Sequence, residues 1–184
     1  MASTIKIDTV TTPDGTGDIT FNRPINAAQG GVGKVKQVVY THVGTSASST
    51  SANIPWDSST PQNTEGFEAM SKSITPSSTS NLLRIDCMVT GGQSARGSVI
   101  VALFQDSTAD ALAVVRAKAS NANADMMDSI HLTHMMVAGT TSSTTFKVRI
   151  GEDAAGTVYF NRYSTDSNFG GKCDSGIIIT EYEV

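Results

Sequence analysis

The sequence is poor in charge, in large apolar residues and in aromatics. Charged residues fill 16% of the 184 positions, hydrophobic residues 39% and aromatics 6%. Folded domains usually carry about 25% charge and about 45–50% apolar residues, the latter count including Gly. With a net charge of −4 and its 13 Lys and Arg scattered singly, the chain lacks the basic patch or stripe that nucleic-acid binding requires. No apolar run approaches the length of a bilayer crossing, and no charged-then-apolar leader opens the chain. Neither a membrane span nor a standard export signal is therefore expected. Helix formers are thin, and no stretch carries apolar residues at i, i+3, i+4 and i+7, which argues against a helical protein. Ser, Thr, Gly and Asn fill the gap, as suits an all-β protein with many turns and a hydroxyl-rich surface.

Chemistry-bearing residues are equally sparse. The two cysteines cannot make a disulfide framework; Cys87 in a strand pattern and Cys173 in a Gly-rich loop are expected as free thiols. His131 and His134 are three apart, which on a strand points them to opposite faces, and His42 is remote, so no metal site is expected. Glu152, Asp153, Asp166 and Asp174 lack the spacing of a calcium loop and read as solvated acids. Gly30-Gly31-Val32-Gly33-Lys34 has neither the leading strand, the spacing nor the following helix of a phosphate loop. There is no Gly-x-Ser-x-Gly elbow, and no Ser/His/Asp set stands out. The expectation is a protein without catalytic residues or cofactor; a glycan-degrading enzyme ranks last for want of a carboxylate pair that the sequence can place.

The chain divides in two: residues 1–33, an arm and linker, and residues 34–184, a head. In the arm, residues 4–10 (TIKIDTV) and 18–21 (DITF) read as strands joined by a Pro13-Asp14-Gly15 turn. A hairpin whose apolar side chains are Ile5, Ile7, Ile19 and Phe21 cannot sustain itself in water, so these four are the candidate attachment residues, docking on another protein by strand pairing. Residues 26–33 (NAAQGGVG) read as a flexible joint.

The head shows about eight to ten strand signals. Residues 35–43 place Val35, Val39 and Val43 on one parity, Val38 and Tyr40 on the other. Residues 45–52 read as a Ser/Thr loop. Trp56, the only tryptophan, reads as a core or interface plug rather than a ligand platform. Residues 82–90 alternate with Leu83, Ile85, Cys87 and Val89 inward, and Gly91-Gly92 is expected to turn the chain. Residues 98–105 (SVIVALFQ) form a continuous apolar run, the mark of a strand covered on both faces. Residues 111–118 favour strand and 122–128 loop. Residues 129–138 alternate with Ile130, Leu132, His134 and Met136 on one face. Residues 144–150 put Phe146, Val148 and Ile150 inward; strands at 157–163 and 177–184 complete the set. The fold expected is an all-β, jelly-roll-like antiparallel β-sandwich with a short N-terminal β-arm. Met126-Met127 and Met135-Met136 are soft apolar filler, and Met135 and Met136, on a strand apolar on both parities, are the candidate subunit interface.

The opening STIKIDTVTTPDGTGDITFNRPI resembles the N-terminus common among tailed-bacteriophage virion proteins, especially tail-fibre-like ones. The rest is similar to the β-sandwich at the C-terminus of many of the same proteins. The shared motifs, in order, are KVKQVV, SITPSSTSNLL, QDST, SSTTFKV, GTVYFNR and a closing Ile-x-x-Glu-Tyr-Glu. The resemblance implies a homotrimer with a jelly-roll head, carried in the virion and without a catalytic motif. Only residues 26–35 separate arm from head, roughly 35 Å at full stretch, which is a stub rather than a fibre shaft. A knob sitting on the particle, such as a capsid decoration or cement protein contacting the major capsid protein or another virion protein, is the first expectation. The alternative is a tail fibre or spike tip that binds a host surface receptor or glycan through the loops at 45–52, 139–143 and 164–175.

Overall fold

The computed structural model describes residues 34–94, 97–118, 126–162 and 168–184. Ile5, Ile7, Ile19 and Phe21 lie outside the described residues. Ten strands are described: β1 Lys34–Val43, β2 Ala47–Ser49, β3 Phe67–Ile74, β4 Leu82–Gln93, β5 Ser98–Gln105, β6 Ala113–Lys118, β7 Met126–Val137, β8 Thr144–Glu152, β9 Val158–Phe160 and β10 Ser175–Glu183. No helix occurs among the described residues.

The strands make two antiparallel sheets, one ordered β1-β10-β4 with β7 on the far side of β4 and the short β9-β2 pair at its end, the other ordered β3-β8-β5-β6. The eight long strands pair in nested fashion, first with last: β1 with β10, β3 with β8, β4 with β7 and β5 with β6. That is a jelly roll, a long hairpin of four strand pairs rolled into a sandwich. Alternation builds the core. Leu83, Ile85, Cys87 and Val89 of β4 and Ile177 and Ile179 of β10 meet Val101 and Leu103 of β5 and Phe146, Val148 and Ile150 of β8 in one buried cluster between the sheets. The Phe67 ring of one sheet meets Phe160 of the other edge-on at 6.4 Å.

Strand β5 is buried on both faces, as its unbroken apolar run predicts. Its second cover is a strap, residues 53–66, that lays Ile54 on Ile100, Ala102 and Phe104. The strap is tied at both ends. Ile54 N donates to Glu152 O at 3.0 Å, Gly66 N to Asn53 O at 2.9 Å, and the Arg149 guanidinium donates to the carbonyls of Glu65 and Gly66 at 2.6 and 2.7 Å.

Several local expectations are corrected. Gly91 and Gly92 do not turn the chain; β4 runs through them to Gln93, with β9 alongside. A Cβ at Gly91 would stand 2.7 Å from Ile150 Cδ1 and 3.3 Å from the Tyr159 carbonyl, so glycine is there because sheet and core close in, not because the chain bends. The Ser/Thr stretch at 45–52 contains β2, and its Ala52 is in the core. Strand β7 begins at Met126, inside the segment expected as loop, because β4 extends to pair with it. Glycines and hydroxyl residues mark turns only where no neighbouring strand claims their backbone.

Candidate functional site

The outward side of the six-stranded sheet carries a continuous row pattern set by strand register. Across β1, β10, β4 and β7 the rows read Val35, Tyr182, Leu82, Val137; then Val38, Thr180, Arg84, Met135; then Tyr40, Ile178, Asp86, Thr133; then His42, Gly176, Met88, His131. Val35 joins this face through a β-bulge. The register shifts between Val35 and Gln37, which flips the parity, so Val35 points outward while Val39 and Val43 pack on the core.

Of the eleven exposed large apolar side chains among the described residues, seven lie on this face: Val35, Val38, Tyr40, Met88, Met135, Val137 and Ile178. Exposure gathered in one place marks a contact surface, whereas single exposed residues are ordinary. Together these side chains offer on the order of 500 Å² of apolar surface, at the upper end for a single patch on a monomer. Charge within the face is internally cancelled. Arg84 Nε bonds both oxygens of Asp86, at 2.9 and 3.1 Å, and Thr133 Oγ1 donates to Asp86 at 2.8 Å. That bond to Asp86 raises the Arg84 pKa.

A depression of about 250 Å³ opens at Gly176, bordered by His42, Met88, His131 and Ile178. A Cβ at Gly176 would sit 3.3 Å from the Thr41 carbonyl and 3.4 Å from His42 Nδ1, so any larger residue would crowd β1 and begin to fill the hollow. His131 faces out beside it, and half-buried His134 faces in. His42 Nδ1 is 3.5 Å from Asp174 Oδ2. Among the described residues no three His, Cys, Asp or Glu converge as a metal site would need.

The two methionines expected to act together are divided by the pleat. Met135 is exposed on the outer face, whereas Met136 packs against the core. Trp56, expected as a core or interface plug, is not in the core: it is 67% exposed, on the strap over the four-stranded sheet. The Arg116 guanidinium lies 4.2 Å from its ring centroid and is itself fixed by Asp153 Oδ2, at 2.9 Å from Nη2 and 3.3 Å from Nε. Burial would raise the pKa of Asp153, but the bonds from Arg116 and Ser98 outweigh it and lower the value. Trp56 and Val114 flank a cleft of about 120 Å³ that Pro55, Pro61, Asp57 and Ser59 complete. The sequence signal for this place is a lone Trp in an Ile-Pro-Trp-Asp context, which does not distinguish a buried ring from an open one.

Among the hydroxyl-rich loops, the last is interrupted as a contact surface: Ser175 is fully buried, donating to Asn161 Oδ1 at 2.6 Å and accepting from Thr90 N at 2.9 Å. Both thiols are free. Burial, then the neighbouring Asp86 charge, pushes Cys87 up to about 12, so it is inert in the folded chain.

No family model and no curated protein matches the chain. Among solved structures it is similar to the C-terminal domain of EclA, a sugar-binding protein, at 14% identity and TM-score 0.34 over 85% of this chain and 89% of that one. It is also similar to the VP2 subviral particle of infectious bursal disease virus, at 9% identity and TM-score 0.36, over 80% of this chain and 37% of that one. A third is latent PorU from Porphyromonas gingivalis, at 11% identity and TM-score 0.35, over 82% of this chain and 14% of that one. At such scores none of them bears on what this chain binds or builds. Fold and surface together define a class: a jelly-roll β-sandwich whose outer sheet presents an apolar, charge-neutral face. Among the described residues no helix is long and apolar enough to cross a membrane.

Proposed function

We propose that this chain is a non-enzymatic structural protein of a tailed-phage virion, a homotrimeric knob fixed to the particle by its N-terminal segment. The observation that carries the reading is the outer face of the six-stranded sheet. An apolar face whose only Arg and Asp neutralise each other lets neighbouring copies pack around a three-fold axis without like-charge repulsion, although the whole chain carries a net charge of −4. With its polar rows included, the face is of the order of 800 Å², the area each partner contributes to a standard interface. Met135 is the central apolar residue on the β7 side. The trimeric state and the virion setting rest on the sequence resemblance of residues 3–25 and of the head. Ile5, Ile7, Ile19 and Phe21 are the proposed contacts with the major capsid protein or another virion protein, and a decoration or cement role is ranked above a fibre tip because the linker is short.

Two measurements test this. The native mass of the purified chain should be three times its 19.2 kDa. The molar ratio of this chain to the major capsid protein in purified particles, by quantitative mass spectrometry, should be of order one for a shell decoration. A few copies per hundred capsid proteins would move it to the tail, and a monomer of native mass would remove the interface.

A further inference from the structure

The cleft beside Trp56 lies on the other sheet from the apolar face and is not needed for the assembly proposed above. We infer that it is a carbohydrate-binding site that takes one pyranose ring. An indole left 67% exposed forgoes the burial that large aromatics normally gain, yet this one is not on a frayed segment. Ile54, two residues before it, is completely buried, and the strap is bonded on both sides of it. Pro55 and Pro61 restrict the backbone further.

The ring is also held in place. Arg116 covers one face at 4.2 Å, and the Asp153 carboxylate prevents the guanidinium from swinging away. The rest of the indole stays open beside the cleft that Arg116 also lines, and offers a flat apolar edge to a sugar ring. Polar groups stand at its edge with capacity to spare. Asp57 uses Oδ1 alone to accept from Ser59 N at 2.7 Å and Ser59 Oγ at 2.5 Å, leaving Oδ2 without a partner among the described residues. Those bonds also lower its pKa, so the carboxylate is charged. Arg116 bonds Asp153 through Nε and Nη2, leaving Nη1 without a partner among the described residues. An acceptor and a donor beside an aromatic plane are what adjacent sugar hydroxyls and a C–H face require. A volume of about 120 Å³ holds roughly four waters, enough to seat one side of a single ring whose remainder stays in solvent, and too little for a length of peptide.

The chain contains 1 Trp, so its fluorescence reports this cleft alone. The full chain should be titrated with D-glucose, D-galactose, L-rhamnose and N-acetylglucosamine to about 0.1 M, above the ~1–10 mM Kd that one stacked ring and two hydroxyl contacts give. At least one sugar should shift the emission saturably, and Asp57→Asn, an exposed change, should raise the Kd at least tenfold, each titration being read against the variant's own free emission. Tyr40→Glu on the opposite sheet should leave the Kd as it was. No response to any of the four sugars overturns the proposal. So does a response that Asp57→Asn leaves undiminished, or a shift produced only by a proline-rich peptide.

Discussion

Glu181 and Asn81 are 100 residues apart in the chain, and Asn81 Nδ2 donates to Glu181 Oε1 at 2.6 Å in a buried setting. Ser77 adds its backbone N–H at 2.7 Å and its hydroxyl at 2.8 Å, and Gln37 donates to Oε2 at 2.6 Å. One carboxylate at the end of the last strand thus fastens the first strand and the β3–β4 loop. Burial alone would raise its pKa, but the bonds from Gln37, Asn81 and Ser77 outweigh burial and hold it at about 2. A depressed carboxylate stabilises the fold above its unfolded value of 4.5 and loses that contribution as the pH falls from there toward 2. Glu181→Gln should therefore cost about 2–3 kcal/mol in urea unfolding at pH 7, since an amide cannot accept from all four donors. The gap between variant and wild type should narrow by pH 3. A constant gap would mean that the carboxylate charge is not what these donors read.

Glu152 has the opposite sign. It is buried, with Oε2 unpartnered among the described residues, and burial, then the charge of Asp153, pushes its pKa up to about 7 against a bond from Gly156. A raised carboxylic acid favours the fold fully below 4.5, and that advantage fades as the pH rises to 7. Glu152→Gln removes the titration. Relative to wild type, the variant should gain stability progressively between these values, by on the order of 2 kcal/mol, and then level off. Chemical denaturation at pH 4.5, 6 and 8 reads this directly, and a difference independent of pH would show that Glu152 is solvated when charged.

Much of this architecture is legible in the sequence because a half-buried strand must alternate. Phe146, Val148 and Ile150, and Leu83, Ile85, Cys87 and Val89, reveal both period and inward face, and the unbroken run at 98–105 reveals a doubly covered strand. Two kinds of feature are not local. The bulge that turns Val35 outward depends on how β1 registers with β10, which no property of Val35-Lys36-Gln37 encodes. The openness of Trp56 depends on the strap crossing β5 so that Ile54 covers the sheet while the indole stays exposed beside Arg116 of β6. The outer face could be seen only as apolar residues of the second parity on strands 35–43 and 129–138. Their convergence came with the strand order.

Gly91 tests the difference between a turn and a tight approach. In a surface turn with ordinary backbone angles, alanine would change stability by no more than about 0.5 kcal/mol. Within β4 the new methyl would meet Ile150 Cδ1 at 2.7 Å and the Tyr159 carbonyl at 3.3 Å, and Ile150 is fully buried with little room to yield. Gly91→Ala should cost about 1–3 kcal/mol by overpacking. A midpoint of unfolding equal to wild type would restore the turn.

Met135 and Met136 give the sharpest test of the assembly face, because the pleat sends adjacent, chemically identical side chains to opposite sides of one strand. Met136→Ala removes methylenes from the half-buried packing against the core and should cost about 1–2 kcal/mol with native mass unchanged. Met135→Glu should leave the unfolding free energy of the isolated subunit within about 0.5 kcal/mol, since it faces solvent. It sets a new carboxylate on a face whose Arg84 is already paired with Asp86, so each copy entering an interface would bury an uncompensated charge. Light scattering after size exclusion should then show the oligomer dissociating for Met135→Glu and intact for Met136→Ala. Should both variants keep the wild-type mass, copies of this chain do not meet through β7, and the contact surface moves to the β1 side of the face, where Tyr40→Glu would be the next substitution to read.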